Sequence, residues 1–455
     1  MTRKIYLDYA ASTPVDVRVF RAMAPYFRDR FGNAGSLHSF GQEAIAGIDA
    51  ARETVLRTLG IGPEGFRSFI FTGSATEANN LALRGVAQGA RVQGLGFRGK
   101  GLGYREQGAG DRGDEKPIHP RPSTLDPQPY PLNPRIILSP IEHESVLETA
   151  RDLEAQGADV VFLPMDRSGR VDASALEDLL DDRTLLVSVM TVNNEIGTVQ
   201  PIAEIAKMIR NFRDSLSPKP YSLYPFFHTD AVQAFGYYDV SPGVSGADLI
   251  TLSAHKIGGP KGVGGLYHGV GYRGQGIGDR GDERFIHPRP SILDPIITGG
   301  GQEFGLRSGT ENVPGIVGFG VAAELAASAR KKESARILLL KQFLWSGLRT
   351  LYPKAKINGP TNFSPHRSSP HILNVFFPGV SSETLLIALD RAGVAVSSGS
   401  ACSARSPHPS HVLLALGFDE ARARSSIRFS FGRETTRAEL QRTIQIVSRI
   451  LRGNS

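Results

Sequence analysis

Residues 249–262 read LITLSAHKIGGPKG, an apolar run of strand length followed by Lys256 and a glycine-rich loop. Lysine is rarely buried without a partner, so a lysine at the end of an apolar strand needs one. A carbonyl group can supply that partner, because an amine of lowered pKa forms a Schiff base with an aldehyde. Ser253 and His255 flank the lysine with groups able to bond a phosphate. The alternative is that Lys256 and Lys261 are solvated loop charges.

The sequence on either side of this stretch alternates between short β-branched runs and amphipathic helical segments. Such alternation predicts an α/β domain built on a mainly parallel sheet, here of seven strands. The predicted strands are residues 68–72, 135–139, 159–163, 185–191, 225–229, 249–253 and 265–267; the predicted helices include residues 77–87, 145–156, 173–180, 202–214, 314–351, 382–392 and 437–451.

The pattern changes near residue 305, where a long helical stretch precedes short strands at 371–376, 394–397 and 426–430. We therefore expect a large α/β domain over residues 15–304. Residues 1–14 and 305–455 are expected to form a smaller α+β domain that carries the one cysteine.

Composition narrows the class of protein. The 455 residues are 40% hydrophobic and 21% charged, with a formal net charge of +7. No run approaches the roughly 20 apolar residues of a membrane helix, and the start of the chain shows no signal peptide, so we expect a cytoplasmic protein. No basic run is interleaved with aromatic residues, which gives no support for direct nucleic-acid binding. A single cysteine excludes a disulfide within the chain and a multi-cysteine metal site.

Two near-copies of one segment interrupt the pattern. Residues 101–127 and 269–295 are identical at 21 of 27 aligned positions, and both are rich in Gly, Pro, Arg and Asp. Such segments have too little apolar content to offset the entropy of ordering. We expect two unstructured inserts, at about 92–133 and 269–295, looping outward from the large domain.

Two further clusters resemble ligand contacts of α/β enzymes. In FTGSATEAN (residues 71–79) a strand ends and a helix begins, and the free amides of such a start suit a phosphate, with Thr76 adding a hydroxyl. In FHTDAVQ (residues 227–233) Asp230 ends an apolar strand, where its carboxylate can hold a pyridine nitrogen protonated. A small-residue helix cap and an N-cap aspartate are the simpler alternatives.

The lone cysteine lies in SSGSACSAR (residues 397–405), a run of small and polar residues leading to Pro407 and Pro409. This setting is poor for a core cysteine. It predicts an exposed thiol that acts as a nucleophile when ionised.

Together these strings resemble the cysteine desulfurases of the NifS/IscS type, within the fold-type I pyridoxal 5'-phosphate (PLP) enzymes of the class-V aminotransferase family. The resemblance covers nearly all of the chain outside the two repeats, their flanks and a short extension near residues 215–225. The matching strings are IYLDYAASTPVD, FGN, FTGSATEANN, EHES, VNNEIGTVQPI, HTDAVQ, SAHKIGGPKGVGGLY, GGGQEFGLRSGTEN, SSGSACS and SSIRFSFGR.

The resemblance implies a role for each matching residue. It implies PLP bound covalently to Lys256, with Asp230 at the pyridine nitrogen and Gln233 and Asn194 near the ring's phenolic oxygen. His143 would stack on the ring and move protons, as a catalytic residue beside Lys256 and Cys402. The phosphate ligands would be Ala75, Thr76, Ser253, His255 and, across a dimer interface, Thr310. Arg428 would bind the substrate carboxylate, with Asn33 and Arg307 on the substrate side.

The implied activity is sulfur removal from L-cysteine, leaving L-alanine and a persulfide on Cys402. The resemblance further implies a homodimer, handover of sulfur to an iron–sulfur scaffold protein or another acceptor, and transient iron–sulfur ligation by Cys402 through its persulfide. Two readings remain beside it. One is selenocysteine lyase or transaminase activity on the same fold, and the other is a regulator that binds PLP or partners without turnover.

Overall fold

The computed structural model describes residues 4–92, 133–216, 225–269, 293–399 and 409–453. Both repeats lie almost wholly outside these ranges, and Cys402 lies outside them. What the sequence predicts for the repeats and for Cys402 therefore stays a prediction. The strands are β1 (Ile5–Tyr6), β2 (Phe69–Thr72), β3 (Arg135–Leu138), β4 (Asp159–Phe162), β5 (Thr184–Ser188), β6 (Phe226–Asp230), β7 (Leu249–Ser253), β8 (Gly264–His268), β9 (Lys356–Asn358), β10 (Ile372–Phe376), β11 (Val394–Ala395) and β12 (Ser426–Ser430).

Helices pack against the large sheet in two apolar clusters and against the smaller sheet in a third. They are α1 (Val17–Met23), α2 (Pro25–Arg28), α3 (Ser39–Thr58), α4 (Ala75–Val92), α5 (Glu144–Ala155), α6 (Leu176–Leu179), α7 (Ile202–Ser215), α8 (Pro242–Ser245), α9 (Val313–Leu351), α10 (Ser382–Arg391), α11 (His411–Ala415), α12 (Glu420–Ala423) and α13 (Arg437–Gly453). Three short 3-10 turns lie at Pro63–Ser68, Ala254–Lys256 and Glu303–Gly305. No described helix is long and apolar enough to cross a membrane.

The main sheet has seven strands in the order β2-β8-β7-β6-β5-β3-β4. Only β8 runs antiparallel to its neighbours, β2 and β7. Every residue of β5, β6 and β7 is buried, which explains their continuous apolar runs, because a parallel sheet is covered on both faces. The predicted mainly parallel seven-stranded α/β fold is confirmed. Its parallel strands bring their carboxyl ends to one edge, where ligands bind in such folds.

A second, smaller group of elements follows. Strands β12, β10 and β9 form an antiparallel sheet, and β1 pairs in parallel with β11. Their apolar residues join the second half of α9 in one core, whereas the first half of α9 lies in the core of the large sheet. The predicted boundary at residue 305 stays a prediction, and α9 is the element that belongs to both cores.

Two predictions of local structure differ from the fold. The helix predicted over 173–180 forms only at Leu176–Leu179. Asp172 Oδ1 accepts bonds from the backbone N and the Oγ of Ser174, and this local turn competes with an earlier helix start. The helix α3, of 20 residues, was not among the predicted ones.

Candidate active site

A cavity of about 300 Å³ opens at the carboxyl edge of the large sheet. The ends of β6 and β7, the start of α4 and the start of α5 meet there, and β12 contributes from the smaller sheet. The lining residues are Ala10, Ala11, Ser74, Ala75, Thr76, Asn79, His143, Glu144, Ser145, Met190, Asn194, Glu195, Asp230, Val232, Gln233, His255, Lys256, Gly399, His411 and Arg428. Nine of the residues that the sequence predicted for the site are in this set.

One end of the cavity is the N-terminus of α4. Ser74 caps the helix, since its Oγ accepts a bond from Glu77 N at 3.1 Å. Strand β8 passes close behind this turn, and a Cβ on Gly264 would lie 2.6 Å from Ser74 C and 2.7 Å from Ala75 N. The absence of a side chain at Gly264 therefore lets β8 support the turn that aims the helix amides at the cavity. An anion is stabilised at such a helix start.

His255 also lines the cavity, where its ring is an uncharged hydrogen-bonding group. Its Nδ1 lies 3.3 Å from Ser12 Oγ. Burial, followed by the charges of Lys256 and Lys261, lowers the pKa of His255 to about 4. The ring is therefore uncharged at neutral pH.

Asp230 is the last residue of β6, and it is held in one orientation. Its Oδ2 accepts a bond of 2.8 Å from Asn79 Nδ2, and its Oδ1 accepts one of 3.0 Å from Val232 N. The second bond forms a local turn, and no helix begins there, so the N-cap alternative is not what the structure has. Asn79 is fully buried and also donates to Ser145 Oγ at 2.8 Å.

Lys256 ends the 3-10 turn that follows β7, as its position after an apolar strand predicted. Its Nζ donates to two backbone carbonyl oxygens, at 2.7 Å to Ala10 and 2.8 Å to Ala11. Both acceptors are neutral. The amine therefore lies in the cavity, where these two carbonyl groups orient it.

His143 is the N-cap of α5 and lies on the cavity wall. Its Nδ1 accepts a bond from Ser145 N at 3.1 Å and lies 2.9 Å from Ser145 Oγ. Because Nδ1 accepts, Nε2 carries the proton of the neutral ring. The histidine thus presents one defined ring nitrogen for proton transfer.

Arg428 reaches the cavity from the middle of β12 and is 1% exposed. Its Nη1 donates to Asn194 O at 2.9 Å, and its Nη2 pairs with Asp8 Oδ1 at 2.7 Å. Its buried Nε has no hydrogen-bond partner among the described residues. The guanidinium is therefore fixed in place and keeps donor capacity.

Two buried carboxyl groups were not predicted. Glu142 is fully buried beside the site, where Met190 N donates to its Oε1 at 2.7 Å. Burial raises the pKa of Glu142 well above its ordinary value. Glu195 lines the cavity, accepts a bond from Ser410 Oγ at 2.6 Å, and has a pKa raised by burial. Glu142 directly precedes His143 and Glu195 directly follows Asn194 in the matching strings, but only tertiary packing shows that they are buried.

Four predicted residues lie apart from the cavity lining. Ser253 is buried at the end of β7, whereas Thr310 and Asn33 are exposed. Arg307 pairs with Glu77, with its Nε 2.8 Å from Glu77 Oε1. The roles of these four stay predictions. Asn79 is a cavity residue that the sequence could have shown, since it follows Thr76 by one helical turn on α4.

The cavity suits a phosphorylated aromatic aldehyde such as PLP. Its lining includes the Lys256 amine, the Asp230 carboxylate and a capped helix start. Its volume is at the lower end of the roughly 300–1,000 Å³ of small-molecule sites. The buried Arg428 Nε and Asn79 Oδ1 lack partners among the described residues, so polar capacity remains for a ligand and for bound water. No group of three or more metal-ligating side chains was found among the same residues.

Comparisons with known proteins agree with this site. The family model "Aminotransferase class-V" matches residues 5–94 and 128–443. The interval between these two ranges contains the first repeat. A putative cysteine desulfurase IscS 1 from Bacillus subtilis (strain 168) is 37% identical over 450 residues, covering 99% of both chains.

Solved structures give the same result. A NifS-like protein superposes with a TM-score of 0.76 and 32% identity, over 99% of this chain and 100% of its own. A structure of SspA in complex with cysteine has a TM-score of 0.69 and 32% identity, over 94% of this chain and 98% of its own. The chain belongs to the class-V aminotransferase family and, within it, to the cysteine desulfurases of the NifS/IscS type.

Proposed function

We propose that this chain removes sulfur from L-cysteine with PLP as cofactor, giving L-alanine and a persulfide on Cys402. The observation that carries the proposal is one cavity that gathers an amine, a carboxylate, an imidazole and a guanidinium from distant parts of the chain. These are Lys256, Asp230, His143 and Arg428. The name of the Bacillus subtilis relative and the cysteine bound to SspA support the same substrate.

Each part of the cavity matches a part of the cofactor. Lys256 would hold it covalently, Asp230 would bind its ring nitrogen, and Gln233 with Asn194 would face its ring oxygen. The phosphate would lie at the start of α4, near Ala75, Thr76, Ser253 and His255, with Thr310 contributed by a second subunit. When bound, PLP supplies an electron sink that stabilises negative charge on the substrate Cα.

The chain's own residues do the rest. Arg428 binds the substrate carboxylate through the N–H groups that Asp8 and the backbone leave available. Lys256 takes the Cα proton as a general base, and His143 moves a proton near the substrate thiol through Nε2.

The thiolate of Cys402 then attacks the substrate sulfur. A sulfur–sulfur bond forms as the carbon–sulfur bond breaks. The bond electrons and a proton remain with the carbon, so that cysteine and one thiol become alanine and one persulfide.

A homodimer belongs to the same proposal. Residues 17–40 expose several large apolar side chains, Phe20, Phe27, Phe31 and Leu37 among them, and such a surface is typical of an interface. The proposal also takes an iron–sulfur scaffold protein or another acceptor as the destination of the sulfur, transient iron–sulfur contact at Cys402, and the cytoplasm as the location.

The test is release of alanine and sulfide from L-cysteine with a thiol reductant and added PLP. Wild type should release both, whereas Cys402→Ala should keep the visible absorbance of bound cofactor and lose turnover. Ser403→Ala, one residue away, is the matched control and should remain active. Alanine release by Cys402→Ala at the wild-type rate would overturn the assignment of the nucleophile.

A further inference from the structure

The side-chain amide of Gln233 is held from both ends. Its Nε2 donates to Ala10 O at 3.0 Å, and its Oε1 lies 3.1 Å from His371 Nε2. A backbone carbonyl oxygen can only accept, so the amide nitrogen must be the end that faces Ala10. The amide oxygen then faces His371 and can only accept, so His371 Nε2 must carry a hydrogen.

His371 is itself fixed. It is 2% exposed, it precedes β10, and its ring stacks on Tyr237 with centroids 4.1 Å apart and planes 11° apart. Its carbonyl oxygen accepts a bond from Phe431 N at 2.9 Å, and Tyr237 Oη donates to Phe431 O at 3.3 Å. The imidazole is therefore clamped between the chain that leaves β6 and the chain that leaves β12.

The ring has one available protonation state. Burial, followed by the charges of Lys341, Arg428 and Lys256, holds the pKa of His371 well below its ordinary value. Its Nδ1 is buried and has no hydrogen-bond partner among the described residues. A neutral ring with hydrogen on Nε2 is the state that satisfies Gln233.

We propose that His371 is a positioning residue that locks Gln233 with its N–H₂ group, and not its oxygen, toward the cofactor's ring oxygen. One N–H₂ hydrogen binds Ala10 O, which leaves the other for a group in the cavity that Gln233 lines. Without His371 the amide keeps only its bond to Ala10 O, so its second N–H is no longer held in one direction. The inference rests on the proposed function, because the group that Gln233 faces is the cofactor.

The orientation of Gln233 also affects Lys256, because both side chains bind the same carbonyl oxygen. Ala10 O accepts from both Gln233 Nε2 and Lys256 Nζ, at 3.0 and 2.7 Å. A fixed Gln233 therefore also fixes one of the two carbonyl groups that orient the lysine in the described structure.

The test is the pH titration of the visible absorption band in the PLP-loaded protein. His371→Phe keeps a flat ring against Tyr237 and removes the donor. A donor to the ring oxygen favours its anionic form, so its loss should raise the pH midpoint by about half to one unit. His371→Gln, whose amide can donate from nearly the same place, should return the midpoint toward that of wild type.

A double variant separates this role from a merely structural one. If His371 acts through Gln233, then His371→Phe should add no shift in a Gln233→Ala background. A wild-type midpoint in His371→Phe, or an unchanged shift in the double variant, would overturn the inference. Failure of wild type to show a visible band would instead count against the proposed function.

A measurement on the unaltered protein serves if His371→Phe does not fold. With ¹⁵N-labelled histidine, the His371 signal, identified through His371→Gln, should show a protonated Nε2 and a bare Nδ1. A proton on Nδ1 would contradict the inference.

Discussion

Arg52 and Glu303 form a two-pronged ion pair inside the protein. Arg52 Nη1 lies 2.7 Å from Glu303 Oε2, and Nη2 lies 3.0 Å from Oε1. The two side chains are 4% and 3% exposed. Glu303 Oε2 also accepts a bond from Phe71 N at 3.0 Å, so the pair ties the loop that leads to Thr310 onto β2. The strand that leads to the helix start of the candidate site is thereby joined to the loop predicted to reach a second subunit.

Arg52→Met should lower the free energy of unfolding by about 3–5 kcal/mol, because it leaves Glu303 buried and unpaired. Urea unfolding followed by circular dichroism measures this. Arg57→Met is the matched control on the same helix. Its pair with Glu324, at 3.1 Å, is 65% and 58% exposed, and its loss should cost less than about 1 kcal/mol. Equal losses in the two variants would refute the distinction.

Asn79→Ala should weaken PLP binding roughly tenfold or more, because Asp230 loses a buried hydrogen bond that orients its charge. Equilibrium titration with PLP, followed by visible absorbance, measures the change. Asn80→Ala, on the same helix, removes a bond to Thr76 O instead and should leave the affinity within about twofold. The prediction is wrong if both variants bind alike.

Gly264→Ala should also weaken PLP binding, here through the phosphate end. The new Cβ would lie 2.6–2.9 Å from backbone atoms of Ser74 and Ala75, so the turn before α4 has to move. We expect at least a tenfold loss of affinity, with inorganic phosphate competing less well for the site. Gly243→Ala has no atom within 4 Å of its Cβ, and its PLP affinity should not change.

His228 should make the protein less stable in acid. It is fully buried between Ser188 Oγ at 2.8 Å and Thr251 Oγ1 at 3.0 Å, and burial lowers its pKa to about 3. Between about pH 6.5 and 3 the unfolded chain binds a proton that the folded chain does not. Stability therefore falls as pH drops through this window, by up to about 1.4 kcal/mol per unit.

Urea unfolding at pH 7.5, 6 and 5 tests this for wild type and His228→Gln, whose amide can still bond both hydroxyl groups. The variant should lose less stability than wild type between pH 7.5 and 5. His366→Gln, at an exposed position, controls for removing a histidine. Parallel pH profiles of wild type and His228→Gln would contradict the prediction.

Sequence patterns were sufficient where one local rule decides the outcome. Asp230 ends β6 and Lys256 closely follows the end of β7, and the ends of parallel strands share one edge, so their meeting was predictable. Asn79 could also have been predicted as a site residue, because helical spacing places it on the same face of α4 as Thr76.

Contacts between distant segments could not be predicted in this way. Gln233 and His371 are 138 residues apart, and Arg428 and Asp8 are 420 apart. No periodicity links such pairs. Gln233 and His371 meet only where the smaller unit packs against the large sheet, and Asp8 meets Arg428 only because the N-terminal segment lies beside β12. The same holds for the burial of Glu142 and Glu195, which look like surface charges in sequence.

The helix α9 belongs to two cores at once, and this determines how cooperatively the protein unfolds. Its first half packs with Val19 and Ile48 in the core of the large sheet, and its second half packs with Phe377 and Val447 in the core of the smaller one. If either core unfolds, it exposes the apolar residues of its half of α9. That loss of packing weakens the same 39-residue helix on which the other core depends. Unfolding of either sheet should therefore destabilise the other through α9, so that heat or denaturant unfolds both in a single cooperative transition.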